Sequence, residues 1–265
     1  MYEFTYHRPT SVSAAAAQLA ADPEGKLLAG GQTLLPTMKQ RLASPSAIID
    51  LGKIAELSGV SREGDAIVIG AMTRHADVAT NATVRQAIPA LAALAEEIGD
   101  PQVRNRGTIG GSLANNDPAA DYPAAALALG ATIVTNKREI AADAFFKGLF
   151  ETALEPNEII TKVRFPIPRK AAYQKFPNPA SRYALAGVFV AQTAGGVRVA
   201  VTGAGANGVF RASAVEAALA SNFAPAAVAG VKVSADGLNT DIHADAAYRA
   251  HLIGVLAKRA VAAAG

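Results

Sequence analysis

Apolar and polar positions along the first fifty residues change period in a regular order: helix, strand, helix, strand. Ser11 to Ala21 is an alanine-rich helical stretch with Thr10 or Ser11 placed to cap it. Lys26 to Ala29 is a short apolar strand. Leu34, Leu35, Met38 and Leu42 then recur at helical spacing, with Thr33 as cap and Pro36 early enough to be tolerated. Ala47 to Leu51 is apolar again and predicts a second strand. Together these form a βαβ unit, whose ligand side lies at the carboxyl end of its first strand.

From about Ile54 the pattern changes. Ala66 to Ala71 predicts a buried strand, Thr73 a helix cap and Pro89 to Ile98 a helix. A helix is predicted from Asp121 or Tyr122 to about Leu129. Ala131 to Thr135 and Glu139 to Ala141 form a hairpin across Asn136-Lys137, and Glu158 to Phe165 is a strand ended by Pro166. Pro166, Pro168, Pro177 and Pro179 mark a change of domain. Beyond them come strands at Tyr173 to Phe176, Ala184 to Thr193 and Val197 to Thr202, then helices around Ala212 to Ala220, Pro225 to Val233 and Ala244 to Ala263. The predicted class is α+β: a two-lobed domain over residues 1–168, with lobes of about 1–55 and 56–168. A small α+β domain over 169–265 follows, with a three-stranded antiparallel sheet and helices.

Composition narrows the function classes. The chain has 265 residues, 51% hydrophobic and 18% charged, enough for a sizeable core. A net charge of +3, without a basic run interleaved with aromatics, argues against nucleic acid. There is no cysteine, which removes disulfides, thiolate nucleophiles and any iron–sulfur cluster held by this chain. The apolar segments are too short to span a bilayer, and the N-terminus has no basic region leading into an apolar run, so a cytoplasmic protein is expected.

Two glycine stretches carry the candidate chemistry. In KLLAGGQTLLPTMKQRL the pair Gly30-Gly31 joins a strand to a helix, a geometry that offers unpaired N–H groups to an anion such as a pyrophosphate. In DPQVRNRGTIGGSLANNDPAADYP the pair Gly110-Gly111 lets backbone approach something flat or phosphorylated, with Asn105, Ser112, Asn115, Asn116 and Asp121 around it. Taken alone, the second stretch reads first as a glycine turn in an ordinary loop, since short glycine patterns recur by chance. The two stretches fall in different lobes, so the expected ligand site is the cleft between them. His7, His75, His243 and His251 show no metal-ligand spacing, and His75 reads as a surface or capping residue. No residue reads as a catalytic acid, base or nucleophile, and no metal site is expected. That suits chemistry carried by a bound cofactor.

AGGQT at Ala29 to Thr33, followed at a distance by TIGGS at Thr108 to Ser112, resembles the paired FAD-binding signatures of the medium subunit of molybdenum hydroxylases. The carbon monoxide dehydrogenase type is the nearest form. The resemblance runs over nearly the whole chain, through IIDL, VIGAMT and DPAADYPAAALALGA. The chain departs from the pattern at Ser112, usually Asn, and at Gln32, which is His in carbon monoxide dehydrogenases. The resemblance implies a PCMH-type two-lobed FAD-binding fold. It gives Ala29, Gly30, Gly31, Gln32, Thr33 and Leu34 to one side of the cofactor, and Thr108, Ile109, Gly110, Gly111 and Ser112 to the other. It places Asp121 at the adenosine part, Tyr183 over one face of the isoalloxazine, and Ile160 and Lys175 near the ring. The residues alone fit a core tyrosine at position 183 as well.

The function so implied is electron transfer within a molybdenum hydroxylase complex. FAD here would take electrons from the [2Fe–2S] clusters of a small partner subunit, fed by a large molybdenum–pterin subunit, and pass them to an external acceptor. The assembly would be a dimer of heterotrimers, docking through the C-terminal domain and the apolar surface around the glycine loops. The alternative is a stand-alone flavoenzyme acting directly on a small alcohol or amine. GAGANG at Gly203 to Gly208 is a literal GxGxxG, but too few residues follow for a dinucleotide fold, so it reads as a small-residue strand-to-helix turn.

Overall fold

The structure is a computed structural model that describes residues 1–264. Its first part contains β1 (Thr5–His7), α1 (Val12–Ala21), β2 (Lys26–Leu28), α2 (Leu34–Lys39) and β3 (Ala47–Asp50). Both β1 and β2 pair in parallel with β3, so the βαβ unit is present, with β3 at its centre. Ser11 caps α1 by accepting the Ala14 N–H at 3.2 Å. Thr33 does not cap α2. Its backbone is already helical, at φ −108° and ψ −53°, not the extended conformation of a capping residue, and its side chain makes no cap hydrogen bond. Its carbonyl instead accepts the Thr37 N–H and hydroxyl, at 3.1 and 2.8 Å.

The middle part begins with β4 (Val60–Glu63), β5 (Ala66–Gly70), α3 (His75–Thr80), α4 (Ala82–Ala87) and α5 (Pro89–Glu96). It continues through α6 (Pro101–Arg104), α7 (Ile109–Asn115), α8 (Tyr122–Leu129), β6 (Thr132–Thr135), β7 (Glu139–Ala141) and α9 (Ala142–Phe145) to β8 (Phe146–Gly148), β9 (Glu151–Thr152) and β10 (Ile160–Pro166). Antiparallel strands in the order β4-β5-β10-β6-β7 make its sheet, and β8 and β9 form a separate hairpin. Helix α8 is buried all round, as its uniformly apolar sequence requires. Thr73 caps nothing: its hydroxyl sits between the N–H and carbonyl of Gly59, at 2.9 and 3.0 Å, and pins the β4 approach instead. The stretch from 100 to 123 contains two helices rather than a loop. Gly110 and Gly111 lie in the first turn of α7, whose cap is Thr108, accepting the Gly111 N–H at 3.2 Å.

The last part consists of β11 (Lys170–Pro177), β12 (Ala184–Thr193), β13 (Gly196–Thr202), β14 (Phe210–Arg211), α10 (Ser213–Ser221), α11 (Pro225–Val228) and α12 (Ala246–Ala263). The sheet has four antiparallel strands among the described residues, not three, because the pair β14 joins the edge of β13. GAGANG therefore leads into a strand, and the helix follows only at Ser213. Both faces of β12 are covered. Val188 and Val190 pack toward α10, α11 and α12, while Phe189 and Ala191 pack into the core of the middle part, which explains its unbroken apolar run.

Candidate functional site

A cavity of about 1020 Å³ runs between the first and middle parts and reaches the loop before β12. The β2–α2 turn lines it with Ala29, Gly30, Gly31, Gln32, Thr33 and Leu34. The N-terminal half of α7 adds Thr108, Gly110, Gly111 and Ser112, and Asp121, Ile160 and Tyr183 line it as well. These are sequence-predicted residues brought together by the fold. Ile109 and Lys175 stand behind the wall. Ile109 is fully buried in the core, and Lys175 reaches the site only through Asp121.

The two glycine stretches do different work. At Gly30 to Thr33 the backbone amides have no acceptor among the described residues, and Gly31 takes the left-handed conformation, φ +72°, that glycine adopts without penalty. These donors crowd one side of the cavity, the arrangement an anion needs. In α7 the corresponding amides are already used. Ile109 donates to Thr73 O at 3.1 Å, Gly110 to Ala71 O at 2.8 Å, and Ser112 to Thr108 O at 3.0 Å. The TIGGS segment thus contributes a close-packed wall, and the free donors belong to AGGQT. Its small size has a packing cause: a Cβ at Gly110 would lie 2.6 Å from the Ala71 Cβ.

Asp121 is buried and multiply held. Tyr173 donates its hydroxyl to Oδ1 at 2.5 Å, and Lys175 Nζ lies 3.0 Å from Oδ1 and 3.1 Å from Oδ2. Burial pushes its carboxyl up, against the pull of Lys175 and the Tyr173 hydroxyl. Gly187 makes the arrangement possible, since a Cβ there would overlap the Tyr173 hydroxyl. Nearby Asp117 also lines the cavity, its carboxyl pushed up by burial.

His75 is not a surface residue. It is 5% exposed, lines the cavity, and packs on Tyr122 with ring centroids 5.3 Å apart. Burial, helped by the charge of Arg104, lowers its pKa to about 4, so the ring is neutral near pH 7. Its Nδ1 and the Tyr122 hydroxyl are both buried without a hydrogen-bond partner. The cavity mouth carries two exposed aromatics. Tyr183 is 49% exposed, and Phe150, at the β8–β9 tip, is 56% exposed with φ +55°. Asp117, Phe150 and the cavity position of His75 were not found from sequence. Only Asn116-Asp117-Pro118, a turn signature, carried any signal.

Such a wall suits an elongated ligand with an anionic centre and a flat aromatic end. Free amides meet the anion, while the Ala, Gly and Ile surfaces leave room for rings. FAD fits this lining chemically: four amides without a partner among the described residues at the glycine turn, and exposed aromatic side chains at the mouth.

Residues 2–168 match the family model described as the FAD binding domain in molybdopterin dehydrogenase. The chain is 38% identical over 279 residues to the carbon monoxide dehydrogenase medium chain of Hydrogenophaga pseudoflava, covering 98% of this chain and 96% of that one. It is 38% identical over 274 residues to the nicotine 6-hydroxylase medium subunit of Paenarthrobacter nicotinovorans, with the same coverage. Among solved structures, carbon monoxide dehydrogenase from Hydrogenophaga pseudoflava superposes with a TM-score of 0.89 at 38% identity, covering 99% of this chain and 97% of that one. Quinoline 2-oxidoreductase from Pseudomonas putida 86 gives 0.88 at 30% identity, with the same coverage.

Proposed function

The chain belongs to the family of FAD-binding domains of molybdopterin dehydrogenases, and from that premise we propose that it is the FAD-carrying electron-transfer subunit of a molybdenum hydroxylase complex. The observation that carries the reading is the cavity of about 1020 Å³ lined on one side by the Gly30 to Thr33 turn, whose amides have no partner among the described residues, and on another by α7. Those amides would hold the pyrophosphate. Ser112 and Asp121 would meet the polar parts of the cofactor, and Tyr183 would cover one face of its ring.

Bound FAD supplies the redox chemistry, because a flavin exchanges electrons singly with one partner and in pairs with another. The chain's own residues bind it, orient it and keep water from its centre. The neutral His75 offers no charge to the cavity wall near pH 7. Electrons would arrive from [2Fe–2S] clusters on a small partner subunit, fed by a molybdenum–pterin centre on a large one, and leave to an external acceptor. The relatives' names support this setting: they are medium subunits of carbon monoxide dehydrogenase and nicotine 6-hydroxylase, and one is the FAD-binding subunit of xanthine dehydrogenase from Escherichia coli O157:H7. No helix among the described residues is long and apolar enough to cross a membrane. Assembly as a dimer of heterotrimers, a cytoplasmic setting, and a flavin-binding part at 1–168 with a C-terminal part at 169–265 belong to the same proposal.

The test is a titration of the flavin-depleted protein, in its native complex, with FAD and separately with FMN. Saturable binding of FAD with much weaker binding of FMN is expected, since FMN lacks the pyrophosphate the glycine turn receives. Equal binding of the two would remove the assignment of that turn.

A further inference from the structure

The GAGANG segment does not line the cavity, yet one of its glycines is tied to the cavity wall from behind. Arg249 of α12 is 2% exposed, and its guanidinium reaches away from the helix into the start of the four-stranded sheet. Nη1 donates to the carbonyl of Leu185 at 2.5 Å and to that of Gly203 at 2.9 Å, and Nη2 donates to Asp241 Oδ2 at 2.6 Å. The Leu185 segment ends at the cavity, and the Gly203 segment is hydrogen-bonded to a turn that lines it.

Leu185 is two residues beyond Tyr183, at the base of the turn that carries the aromatic. In that turn Asn178 donates its N–H to the Tyr183 carbonyl at 2.7 Å. Asn178 Oδ1 accepts the N–H groups of Ala180 and Ser181, at 2.9 and 3.1 Å. Gly203 reaches the other side. Its N–H donates to Pro118 O at 2.8 Å, and the neighbouring Thr202 hydroxyl lies 2.6 Å from Ala120 O. Pro118 and Ala120 belong to the turn between Asp117 and Asp121, both in the cavity wall. Glycine is required at 203: φ is +79°, and a Cβ would overlap the Ala184 carbonyl.

On the flavin reading of the cavity, we propose that Arg249 is a positioning residue for the cofactor, one buried guanidinium that fixes the Tyr183 turn and the Asp117–Asp121 turn relative to each other. A buried charge is costly, and an apolar side chain of similar volume fills such space at less expense. What an apolar side chain lacks is the planar fork of donors that can hold two carbonyls and a carboxylate at once. GAGANG then has a role other than dinucleotide binding: Gly203 transmits the hold of Arg249 to Pro118.

The test compares Arg249→Met and Arg249→Lys with the unaltered protein, with Asp241→Asn as a milder variant should Arg249→Met not fold. Amide hydrogen exchange without FAD reads the positioning directly. Residues 118–121 and 178–185 are expected to exchange at least tenfold faster together in Arg249→Met, with β5 and β10 unchanged and partial recovery in Arg249→Lys. With FAD bound, the flavin fluorescence of Arg249→Met should rise in the Tyr183 background and not change further in Tyr183→Ala, because the effect passes through that ring. Faster exchange in only one of the two turns, or spread evenly over the chain, would overturn the proposal. So would a fluorescence change of the same size in both backgrounds. If the unaltered protein bound no FAD, the flavin reading would fail while the exchange arm still decided the coupling of the two turns.

Discussion

Gly30 lies directly beneath the carbonyl of Arg106: a Cβ at position 30 would overlap that oxygen and come within 2.7 Å of the Gly107 Cα. The two glycine stretches are therefore in contact with each other as well as facing a common cavity. The first glycine of AGGQT is there to let the turn that precedes TIGGS close over it.

Gly30→Ala must push the two turns apart, since the obstructing atoms are backbone and cannot rotate away. Overpacking of this kind costs about 1–3 kcal/mol, and FAD affinity is expected to fall more than tenfold. Gly111→Ala meets only the Thr108 hydroxyl at 3.0 Å and the Ala29 Cβ at 3.3 Å, so its effect on both readings should be smaller. Thermal unfolding and FAD titration of the two variants side by side check the order.

The buried pair Asp121 and Lys175 makes a second expectation. Lys175→Met leaves a carboxylate with a side chain 5% exposed and only the Tyr173 hydroxyl as side-chain partner. Breaking a buried pair in this way costs about 3–5 kcal/mol. Adding Asp121→Asn should recover part of that loss, so the double variant costs less than the sum of the singles. Denaturant unfolding of the three variants measures it, and strict additivity would contradict the pairing.

The order of elements was legible in the sequence because it rests on local pattern: the βαβ unit, the β6–β7 hairpin, helix α8 and helix α12 all follow from periodicity and caps. Thr33, Thr73 and α7 were not, because tertiary contacts decide them. Thr73 has a better partner in Gly59, fourteen residues away, than in any helix amide. Two glycines disfavour a helix at 110–111 by propensity, and close packing on Ala71 reverses that preference. The cavity wall was visible where it is made of backbone, at the glycine turns. His75 was missed because nothing local signals burial. Asp121 was found, but its partners lie more than fifty residues along the chain, on β11.

His75 gives stability a pH dependence of definite sign. Its pKa is about 4 when folded against 6.5 ordinarily, so between those values the unfolded chain binds more protons. Stability is full above about pH 6.5 and declines as pH falls toward 4. The loss at pH 5 is about 2 kcal/mol. His75→Gln should flatten this limb of the denaturation curve, which urea unfolding between pH 5 and 7.5 would show.

Glu158, also in the cavity wall, acts in a lower window. Hydrogen bonds from Arg138 hold its carboxyl down to about 2, with the Glu155 N–H and the Thr135 hydroxyl adding to them. Its contribution is complete above the ordinary glutamate value of about 4.5 and is lost as pH falls through about 2. Glu158→Gln is expected to lower stability at pH 7 and to leave stability near pH 2 almost unchanged, read by thermal unfolding at both values.

On the proposed function, this chain passes electrons as one member of a complex. The most direct measurement is purification of that complex from its native host under mild conditions, with metal analysis, identification of the co-purifying chains and an absorption spectrum. A flavin spectrum accompanied by two partners, one with molybdenum and one with iron–sulfur clusters, is the expected result. A yellow protein that comes alone and is bleached directly by a small alcohol or amine would contradict the account.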